Sequence, residues 1–317
     1  MLSYEMFWDC TIDGLDFQYL LTHYNIYPWI KSGEELIRVI RLSNSRVIIA
    51  KISLVNIVGG ARLNAIIISD SELLQDDLSI IRTTLEQCLS LNEDRRDLLL
   101  AAETDQVLSA ALQVNRGIRG KRYAELFEAV CGSICAQNVD FRRLYGMMRL
   151  LAENIGPSLV VDECRYHAFP TPYEVSITPL ELLKSCKLGY RAVRVMRSAE
   201  WLTDNVTLER ETLRVMPLEQ AVNSLCQIPG IGAYSAAIIL RAYAGRTDIF
   251  QFDSFTCYIL RRFYFDGREV GLNELKDFVY ARWGEYAGVV AGLLTTNTQN
   301  WAALLGITDV RPSGAKS

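Results

Sequence analysis

The stretch that decides the fold of this chain reads Leu225-Cys226-Gln227-Ile228-Pro229-Gly230-Ile231-Gly232-Ala233-Tyr234-Ser235-Ala236. Gly230 and Gly232 lie one residue apart between apolar segments, which lets the backbone turn tightly and approach another surface closely. The helix predicted next, Ala233–Ala244, begins with free backbone N–H groups, and these amides form an anion site that a phosphate fits without any lysine. The alternative is an ordinary glycine-containing turn between two helices, which this stretch alone does not exclude.

A single carboxylate follows this hairpin along the chain. The helix Ala233–Ala244 ends at Gly245, and a connector through Asp248–Phe252 then leads to Asp253. Asp253 opens the predicted helix Ser254–Phe265 and has two roles open to it. Its side chain can cap the helix, which contributes about 1 kcal/mol to stability. It can also hold a negative charge at the mouth of a cleft beside the hairpin.

The flanking segments predict a mostly α protein with a smaller N-terminal α+β domain. Strands are predicted from Ile and Val content at Leu36–Leu42, Arg46–Leu54 and Leu63–Ile68, with a turn at Ser43-Asn44-Ser45. Helical spacing of apolar residues begins near Leu73. From Tyr123 nearly every segment is predicted to be helical, with breaks at Gly and Pro. The further helices are Tyr123–Ala136, Phe141–Ile155, Thr178–Ser185, Arg191–Leu202, Pro217–Cys226, Leu272–Trp283 and Gly288–Thr295.

This change of character predicts three parts. Residues 1–114 form the α+β domain, residues 115–300 form a helical domain with the hairpin at 225–240, and residues 301–317 form a C-terminal tail. The boundary is expected near Asn115–Gly120, where two glycines lie among basic residues. The segment Phe169-Pro170-Thr171-Pro172 is expected to be a rigid extended connector, because a residue before proline is driven away from the helical conformation.

Acidic and basic residues are distributed unevenly along the chain, whose net charge is −4. Residues 1–110 hold 16 acids and 9 bases, whereas residues 111–317 hold 21 acids and 24 bases. Asn115–Arg149 carries seven bases against three acids, and Lys184–Arg197 carries five bases and no acid. Such clusters are typical of solvated helix faces and equally of a surface that follows phosphates, so charge alone leaves nucleic-acid binding open.

Membrane, secreted and zinc proteins are disfavoured by composition. No apolar run reaches the roughly 18 residues that span a bilayer. The N-terminus lacks the features of a signal peptide, so a cytoplasmic location is expected, associated with the nucleoid in a prokaryote. The eight cysteines include no Cys-x-x-Cys pair, and His23 and His167 are the only histidines. We therefore expect free thiols in the core and no zinc site.

Four motifs in the same order resemble the helix-hairpin-helix DNA glycosylases. They are Ile134-Cys135-Ala136-Gln137-Asn138, Leu188-Gly189-Tyr190-Arg191-Ala192, the hairpin with Phe252-Asp253 downstream, and Arg282-Trp283-Gly284-Glu285-Tyr286-Ala287-Gly288. The resemblance covers about residues 115–295. More weakly, Leu15–Trp29 is similar to the N-terminal domain of the 8-oxoguanine and 3-methyladenine II branches. The resemblance implies a fold in which two helical subdomains flank an active-site cleft.

The resemblance also implies which residues bind DNA. A base inside a duplex cannot be reached, so such enzymes extrude the base and fill the gap with a side chain. Asn138 is implied as this plug, with Gln137 beside it, although Asn138 could instead merely cap the helix Phe141–Ile155. The DNA-binding residues of the hairpin are implied to be Gly230, Gly232, Ala233 and Ser235.

The implied chemistry depends on Asp253 and Tyr234. As the bond to the base breaks, positive charge develops on the sugar, and a carboxylate such as Asp253 stabilises that charge and orients a water. Family members that also cut the strand carry a lysine at the position of Tyr234, because an amine forms a Schiff base with the sugar. No lysine lies between Lys187 and Lys276. The chain is therefore expected to hydrolyse the bond without strand cleavage.

The expected substrate is an alkylated purine, whose positive charge an aromatic face attracts. The candidate walls of the base pocket are Tyr234, Phe252, Trp283 and Tyr286, with Trp29 as a further candidate, and each taken singly could equally be a core residue. Oxidised or deaminated bases are the alternative substrates, and a DNA-binding module without catalysis is the alternative function. The expected partner is duplex DNA with a damaged base, bound by a monomer.

Cofactor expectations also come from the resemblance. It implies a structural monovalent or divalent cation at the hairpin, held by the backbone carbonyls of Cys226, Ile228 and Ile231. An iron–sulfur cluster, which some relatives have, needs four cysteines near the C-terminus, and no cysteine follows Cys257. No cluster and no required cofactor are expected.

Overall fold

The computed structural model describes residues 1–10, 14–23, 26–42, 45–57, 60–205 and 208–310. The strands of these residues are β1 (Leu2–Cys10), β2 (Trp29–Ser32), β3 (Glu35–Arg41), β4 (Val47–Ile57), β5 (Gly60–Ser69), β6 (Ser158–Val161) and β7 (Cys164–His167). The helices are α1 (Phe17–Thr22), α2 (Gln75–Cys88), α3 (Arg96–Ala102), α4 (Gln106–Asn115), α5 (Leu126–Cys135), α6 (Phe141–Ile155), α7 (Pro172–Ser176), α8 (Leu180–Leu183), α9 (Arg191–Asp204), α10 (Arg210–Val215), α11 (Leu218–Leu225), α12 (Ala233–Ile239), α13 (Ser254–Tyr264), α14 (Leu272–Trp283), α15 (Ala287–Thr295) and α16 (Thr298–Leu304).

The chain folds into two compact units that are each discontinuous in sequence. The first unit contains Met1–Leu91 and Arg119–Gly245, and the second contains Asn92–Ile118 and the residues from Arg246 on. The boundary expected near Asn115–Gly120 coincides with one of the crossings between the units. The division into 1–114, 115–300 and 301–317 otherwise differs from the structure, because it follows periodicity along the chain rather than contacts between distant segments.

The sheet of the first unit is antiparallel, with strand order β1-β5-β4-β3-β2. Helix α2 buries Ile81 and Leu85 against one face, and the hairpin of β6 and β7 covers Ile37 and Ile49 on the other. Because both faces are buried, the central strands consist of continuous apolar runs. Those runs made β3, β4 and β5 predictable to within a few residues. The turn predicted at Ser43-Asn44-Ser45 includes residues 43 and 44, which lie outside the described residues.

The helical segments of the first unit follow the predicted periodicity with local exceptions. Helix α6 has the predicted bounds, and α9 extends two residues beyond its predicted end. In place of the predicted helix Thr178–Ser185 the structure has the shorter helix α8, which continues into a π-helical turn at Lys184–Leu188. The predicted helix Ala233–Ala244 is α12 followed by a second π-helical turn at Leu240–Ala244. The strands β6 and β7 were not predicted, and they interrupt the helical region.

A buried ion pair joins the sheet of the first unit to helix α5. Arg38 of β3 donates from Nη2 to both carboxylate oxygens of Glu128, at 2.8 and 2.6 Å, and the two side chains are 0% and 6% exposed. The guanidinium also lies 5.2 Å from the ring centre of Trp29. Glu128 further accepts the backbone N–H of Ala124 at 3.0 Å. The beginning of α5 is thereby attached to β3, the strand next to one edge of the sheet.

The second unit is helical and is built around the side chains of α3, α4, α13, α14, α15 and α16. Asp105 is 3% exposed, caps α4 through the N–H of Leu108 (2.9 Å), and accepts hydrogen bonds from Tyr264 (3.1 Å) and Arg282 (2.8 Å). Helix α16 crosses residue 300, and Trp301 is fully buried. The predicted tail therefore begins inside a core helix, and its residues 311–317 lie outside the described residues.

Two further predictions concern cysteines and membranes. The cysteines with described side chains are all free thiols, and Cys88, Cys131, Cys135, Cys186 and Cys257 are buried. Burial raises the pKa of the Cys135 thiol to about 12, so this group stays protonated as a core side chain.

Within the described residues, every helix is too short or too polar to cross a bilayer.

Breaking the buried ion pair should be costly. Arg38→Met leaves the Glu128 carboxylate buried without its partner, and we expect the free energy of unfolding to fall by about 3–5 kcal/mol. The double variant Arg38→Met/Glu128→Gln should recover much of this loss, because no buried charge remains. Urea denaturation monitored by tryptophan fluorescence measures both variants.

The control for this prediction is an exposed pair on the same sheet. Arg62 contacts Asp9 at 2.8 Å, with side chains 41% and 75% exposed. Arg62→Met should therefore change the stability by less than about 1 kcal/mol. Equal losses for Arg38→Met and Arg62→Met would contradict the structural role given to the buried pair.

Candidate nucleic-acid interface and catalytic carboxylate

The hairpin lies between α11 and α12 in the first unit and is fixed by apolar side chains and backbone hydrogen bonds. Ile228 and Ile231 are 1% and 6% exposed, and the N–H of Ile231 donates to the carbonyl of Ile228 at 3.1 Å. Gly230 has φ +88°, a conformation that other residues rarely adopt. The turn therefore requires glycine here, as the sequence predicts.

Helix α12 begins at the exposed side of this hairpin. Its N-cap, Gly232, has no side chain to accept from the first turn, and Gly232, Ala233 and Tyr234 are exposed. The side chain of Tyr234 is 67% exposed. Ser235 is 8% exposed and thus largely buried, so its side chain, unlike the backbone of its neighbours, is not presented at the surface. The arrangement leaves backbone amides available to an anion.

The turn that carries the predicted plug connects α5 and α6 in the same unit. Asn138 is exposed and has φ +54°. The cap of α6 is Asp140, whose Oδ1 accepts the N–H of Arg143 at 2.8 Å. The alternative that Asn138 caps this helix is therefore wrong, and its side chain is not used for that purpose.

Two arginines of α9 hold the residue before Asn138. The sequence placed Arg191 in the motif Leu188–Ala192 but assigned neither arginine a role at this turn. Arg191 donates from Nη2 to the backbone carbonyl of Gln137, and Arg194 donates from Nη1 to the side-chain oxygen of Gln137 at 2.6 Å. Both belong to the basic cluster Lys184–Arg197. The lack of acids in that cluster is the sequence signal that could have singled them out.

In the second unit Asp253 is exposed and forms the N-cap of α13. Its Oδ1 accepts hydrogen bonds from the backbone N–H of Thr256 (2.8 Å) and from the Thr256 hydroxyl (3.1 Å). Within the described residues Oδ2 accepts no hydrogen bond. The capping role is therefore real, but it occupies a single oxygen and orients the carboxylate with the other oxygen free.

The connector that leads to Asp253 lies against α15 because residue 288 is glycine. The N–H of Gly288 donates to the carbonyl of Thr247 at 2.7 Å. A Cβ at residue 288 would lie 2.6 Å from the carbonyl oxygen of Ile249, which is closer than real Cβ contacts come. Glycine is therefore required at the last position of the C-terminal motif, because the backbone there lies too close to the connector for a side chain.

The aromatic residues predicted to line the base pocket occupy different environments. Trp283 is 4% exposed and stacks at 6.2 Å on Phe250 in the core of the second unit, so the pocket-wall prediction does not fit it. Phe252 is half-buried, 4.7 Å from the ring of Phe250 and 6.3 Å from that of Tyr280. Tyr280 is 40% exposed and was not predicted, although it lies three residues before Trp283 on α14.

The remaining predicted wall residues are Tyr286, which is half-buried, and Trp29, which is buried. Tyr286 is half-buried and donates to Asp97 at 3.2 Å, and burial together with this hydrogen bond raises the pKa of its hydroxyl. Trp29 is 2% exposed and belongs to the core of the first unit, where its Nε1 donates to the carbonyl of Arg122 at 3.3 Å. Among the predicted wall residues and Tyr280, therefore, Tyr234 of the first unit and Tyr280 of the second are exposed, and Phe252 and Tyr286 of the second are half-buried.

The donor set for the expected cation consists of backbone carbonyls at the hairpin. The carbonyl oxygens of Cys226, Ile228 and Ile231 are hard ligands of the kind that alkali and alkaline-earth ions prefer. The carbonyl of Ile228 already accepts the N–H of Ile231 and keeps a second lone pair for an ion. Within the described residues no group of three or more His, Cys, Asp or Glu side chains forms a metal site.

No protein-family model matches the chain, but several curated proteins do, among them the following two. A DNA-3-methyladenine glycosylase of Bacillus subtilis (strain 168) is 27% identical over 164 residues, which are 49% of this chain and 52% of that protein. A probable N-glycosylase/DNA lyase of Methanothermobacter thermautotrophicus is 24% identical over 229 residues, which are 66% of this chain and 72% of that protein. The match to the bacterial relative thus spans about half of its length.

Solved structures match over most of the chain. A 3-methyladenine DNA-glycosylase from Archaeoglobus fulgidus has a TM-score of 0.72 at 18% identity and covers 91% of this chain and 96% of that one. An 8-oxoguanine glycosylase/lyase from Clostridium acetobutylicum, bound to double-stranded DNA with cytosine opposite 8-oxoG, has a TM-score of 0.61 at 16% identity and covers 89% and 99%. The predicted fold class and the resemblance drawn from the motifs are confirmed.

The cap at Asp253 can be separated from any chemistry by stability measurements. Asparagine is as good an N-cap as aspartate, so Asp253→Asn should leave the free energy of unfolding within about 0.5 kcal/mol of wild type. Asp253→Ala removes the acceptor and should cost about 1 kcal/mol. Thermal and urea unfolding test both, and an equal loss in the two variants would show that the charge, not the cap, stabilises α13.

Proposed function

We propose that this chain, which has the fold of the helix-hairpin-helix DNA glycosylases, is itself a DNA glycosylase that hydrolyses the bond between a damaged base and its sugar. The observation that carries the proposal is the Asp253 carboxylate, which is exposed, oriented by its cap and free at one oxygen. Such a group can stabilise the positive charge that develops on the sugar and can orient the attacking water.

The hairpin supplies the grip on DNA in this proposal. The uncapped amides at Gly232 and Ala233 bind a backbone phosphate, which lets a protein of net charge −4 hold nucleic acid through local dipoles. Asn138, exposed at the end of its turn, fills the gap in the duplex that the extruded base leaves. The proposed partner is duplex DNA with a damaged base, bound by a monomer.

A cation at the hairpin belongs to the same proposal. The carbonyls of Cys226, Ile228 and Ile231 would hold it, and its charge would draw a phosphate toward the adjacent amides. None of the chemistry assigned to Asp253 depends on this ion.

Alkylated purines are the proposed substrates. Tyr234, Phe252 and Tyr280 offer exposed or half-exposed aromatic faces, and a cationic base binds to such a face more strongly than a neutral base. The Bacillus subtilis relative is named for 3-methyladenine. Oxidised or deaminated bases are the second candidate, because one of the solved structures of the same fold is an 8-oxoguanine glycosylase/lyase.

A lesion panel tests the proposed reaction. Duplexes with a single 3-methyladenine, 7-methylguanine, 8-oxoguanine or uracil are incubated with excess enzyme, and abasic sites are revealed by alkali on a gel. We expect release of the methylated purines, and Asp253→Asn should reduce the single-turnover rate by at least about 100-fold. Release of 8-oxoguanine or uracil alone would overturn the alkylated-base assignment and retain the glycosylase.

The matched control for Asp253→Asn is Asp277→Asn, which makes the same change at an exposed site on α14 of the same unit. Asp277→Asn should keep the wild-type rate. If Asp253→Asn also kept that rate, the catalytic role of Asp253 would be overturned. If wild type released none of the lesions, the chain would be a DNA-binding module without catalysis.

The reaction is proposed to be hydrolysis without strand cleavage. Tyr234, the residue in the position where strand-cutting relatives carry lysine, has no amine to form a Schiff base. Borohydride added during turnover should therefore trap no covalent protein–DNA adduct with wild type. The Tyr234→Lys variant tests whether an amine introduced at this position is sufficient to form such an adduct. A trapped adduct with wild type, detected on a denaturing gel, would show that another amine attacks the sugar.

A further inference from the structure

We infer that Arg194 is a positioning residue that holds the plug turn, defined as Gln137–Asn138, against helix α9 and the hairpin. The inference rests on the proposed function, because it assigns to Arg194 the task of directing Asn138 into the gap left by an extruded base. Arg194 itself acts through Gln137 and need not touch DNA for this task.

Gln137 accepts hydrogen bonds from two arginines of α9, one at its side chain and one at its backbone. The guanidinium of Arg194 donates to the side-chain oxygen of Gln137 at 2.6 Å, a short charge-assisted hydrogen bond. Arg191 holds the backbone carbonyl of the same residue. Gln137 is thus fixed at both its backbone and its side chain, so the direction of the next residue, Asn138, is determined by two arginines of α9.

The guanidinium of Arg194 lies close to the aromatic ring of Tyr190. Its guanidinium lies 5.4 Å from the ring centre of Tyr190, and Arg191 lies 4.4 Å from the same ring. The Tyr190 ring therefore limits the positions available to both guanidinium groups. An arginine so constrained loses less conformational entropy when it binds Gln137 than a free surface side chain would.

The hairpin lies against the stem of the same arginine. A Cβ at Gly230 would be 3.4 Å from Cβ of Arg194 and 3.6 Å from Cδ1 of Ile134, on the helix that leads to the plug turn. The hairpin and the plug turn thus both lie against the side chain of Arg194. Arg194 fixes the distance between these two DNA-contacting elements.

The experiment uses a duplex in which a tetrahydrofuran abasic analogue is flanked by 2-aminopurine, so that binding can be measured without chemistry. Insertion of the plug changes the stacking of 2-aminopurine and hence its fluorescence. We expect Arg194→Met to reduce the affinity for this duplex, read from the fluorescence change, by about tenfold, which corresponds to about 1.4 kcal/mol. Gln137→Ala should also reduce the affinity for this duplex, but should leave the affinity for an intact duplex unchanged because it removes no cation.

Arg197→Met is the matched control, because it removes the same charge one turn further along α9 from an exposed position. Both arginine variants should weaken binding to an intact duplex equally, since each loses one cation. Only Arg194→Met should lose additional affinity for the abasic duplex. The double variant Gln137→Ala/Arg194→Met should be no worse than Arg194→Met alone, because both substitutions act on one contact.

The outcomes separate this inference from the proposed function. If wild type gives a fluorescence change and Arg194→Met matches Arg197→Met on the abasic duplex, the role of Arg194 is overturned and the proposed function stands. Additive losses in the double variant would also overturn it. If wild type gives no fluorescence change, the proposed plug fails, and the inference fails with it.

Discussion

The buried pair of Arg38 and Glu128 is the interaction on which the architecture of the first unit depends. It joins β3 to the beginning of α5, and α5 ends just before the turn with Gln137 and Asn138. A rigid helix transmits the position of its first turn to its last, so the sheet determines where the turn Gln137–Asn138 lies. A charged pair suits this purpose because its geometry is specific, whereas apolar contacts alone would tolerate sliding of the helix along the sheet.

The sequence predicted those features whose causes are local. Helices α6 and α14 have the predicted bounds, because their apolar spacing and the residues that end them are read directly from neighbouring positions. The Gly230 turn could be predicted for the same reason. The strands β6 and β7 could not, since each has four residues and too little alternation to be distinguished from the helices around it.

Site residues that depend on contacts between distant segments were missed. Nothing adjacent to Arg194 in sequence indicates that it binds Gln137, and nothing near Trp283 distinguishes a wall of a pocket from a core side chain. Asp253 shows the opposite case. The sequence presented its two candidate roles as alternatives, yet the structure forms the cap with one oxygen and leaves the other available, so the stabilising contact also orients the carboxylate.

Because each unit consists of two separate stretches of the chain, parts of one unit are synthesised well before the others. Helices α3 and α4 belong with segments that begin only at Arg246, so after synthesis of residue 118 they must wait for the rest of their core. The first unit, by contrast, has all of its residues once Gly245 has been made. The growing chain therefore holds Leu98, Leu108 and Ala111 without their final neighbours throughout synthesis of the intervening residues, and apolar side chains left exposed in this way favour aggregation.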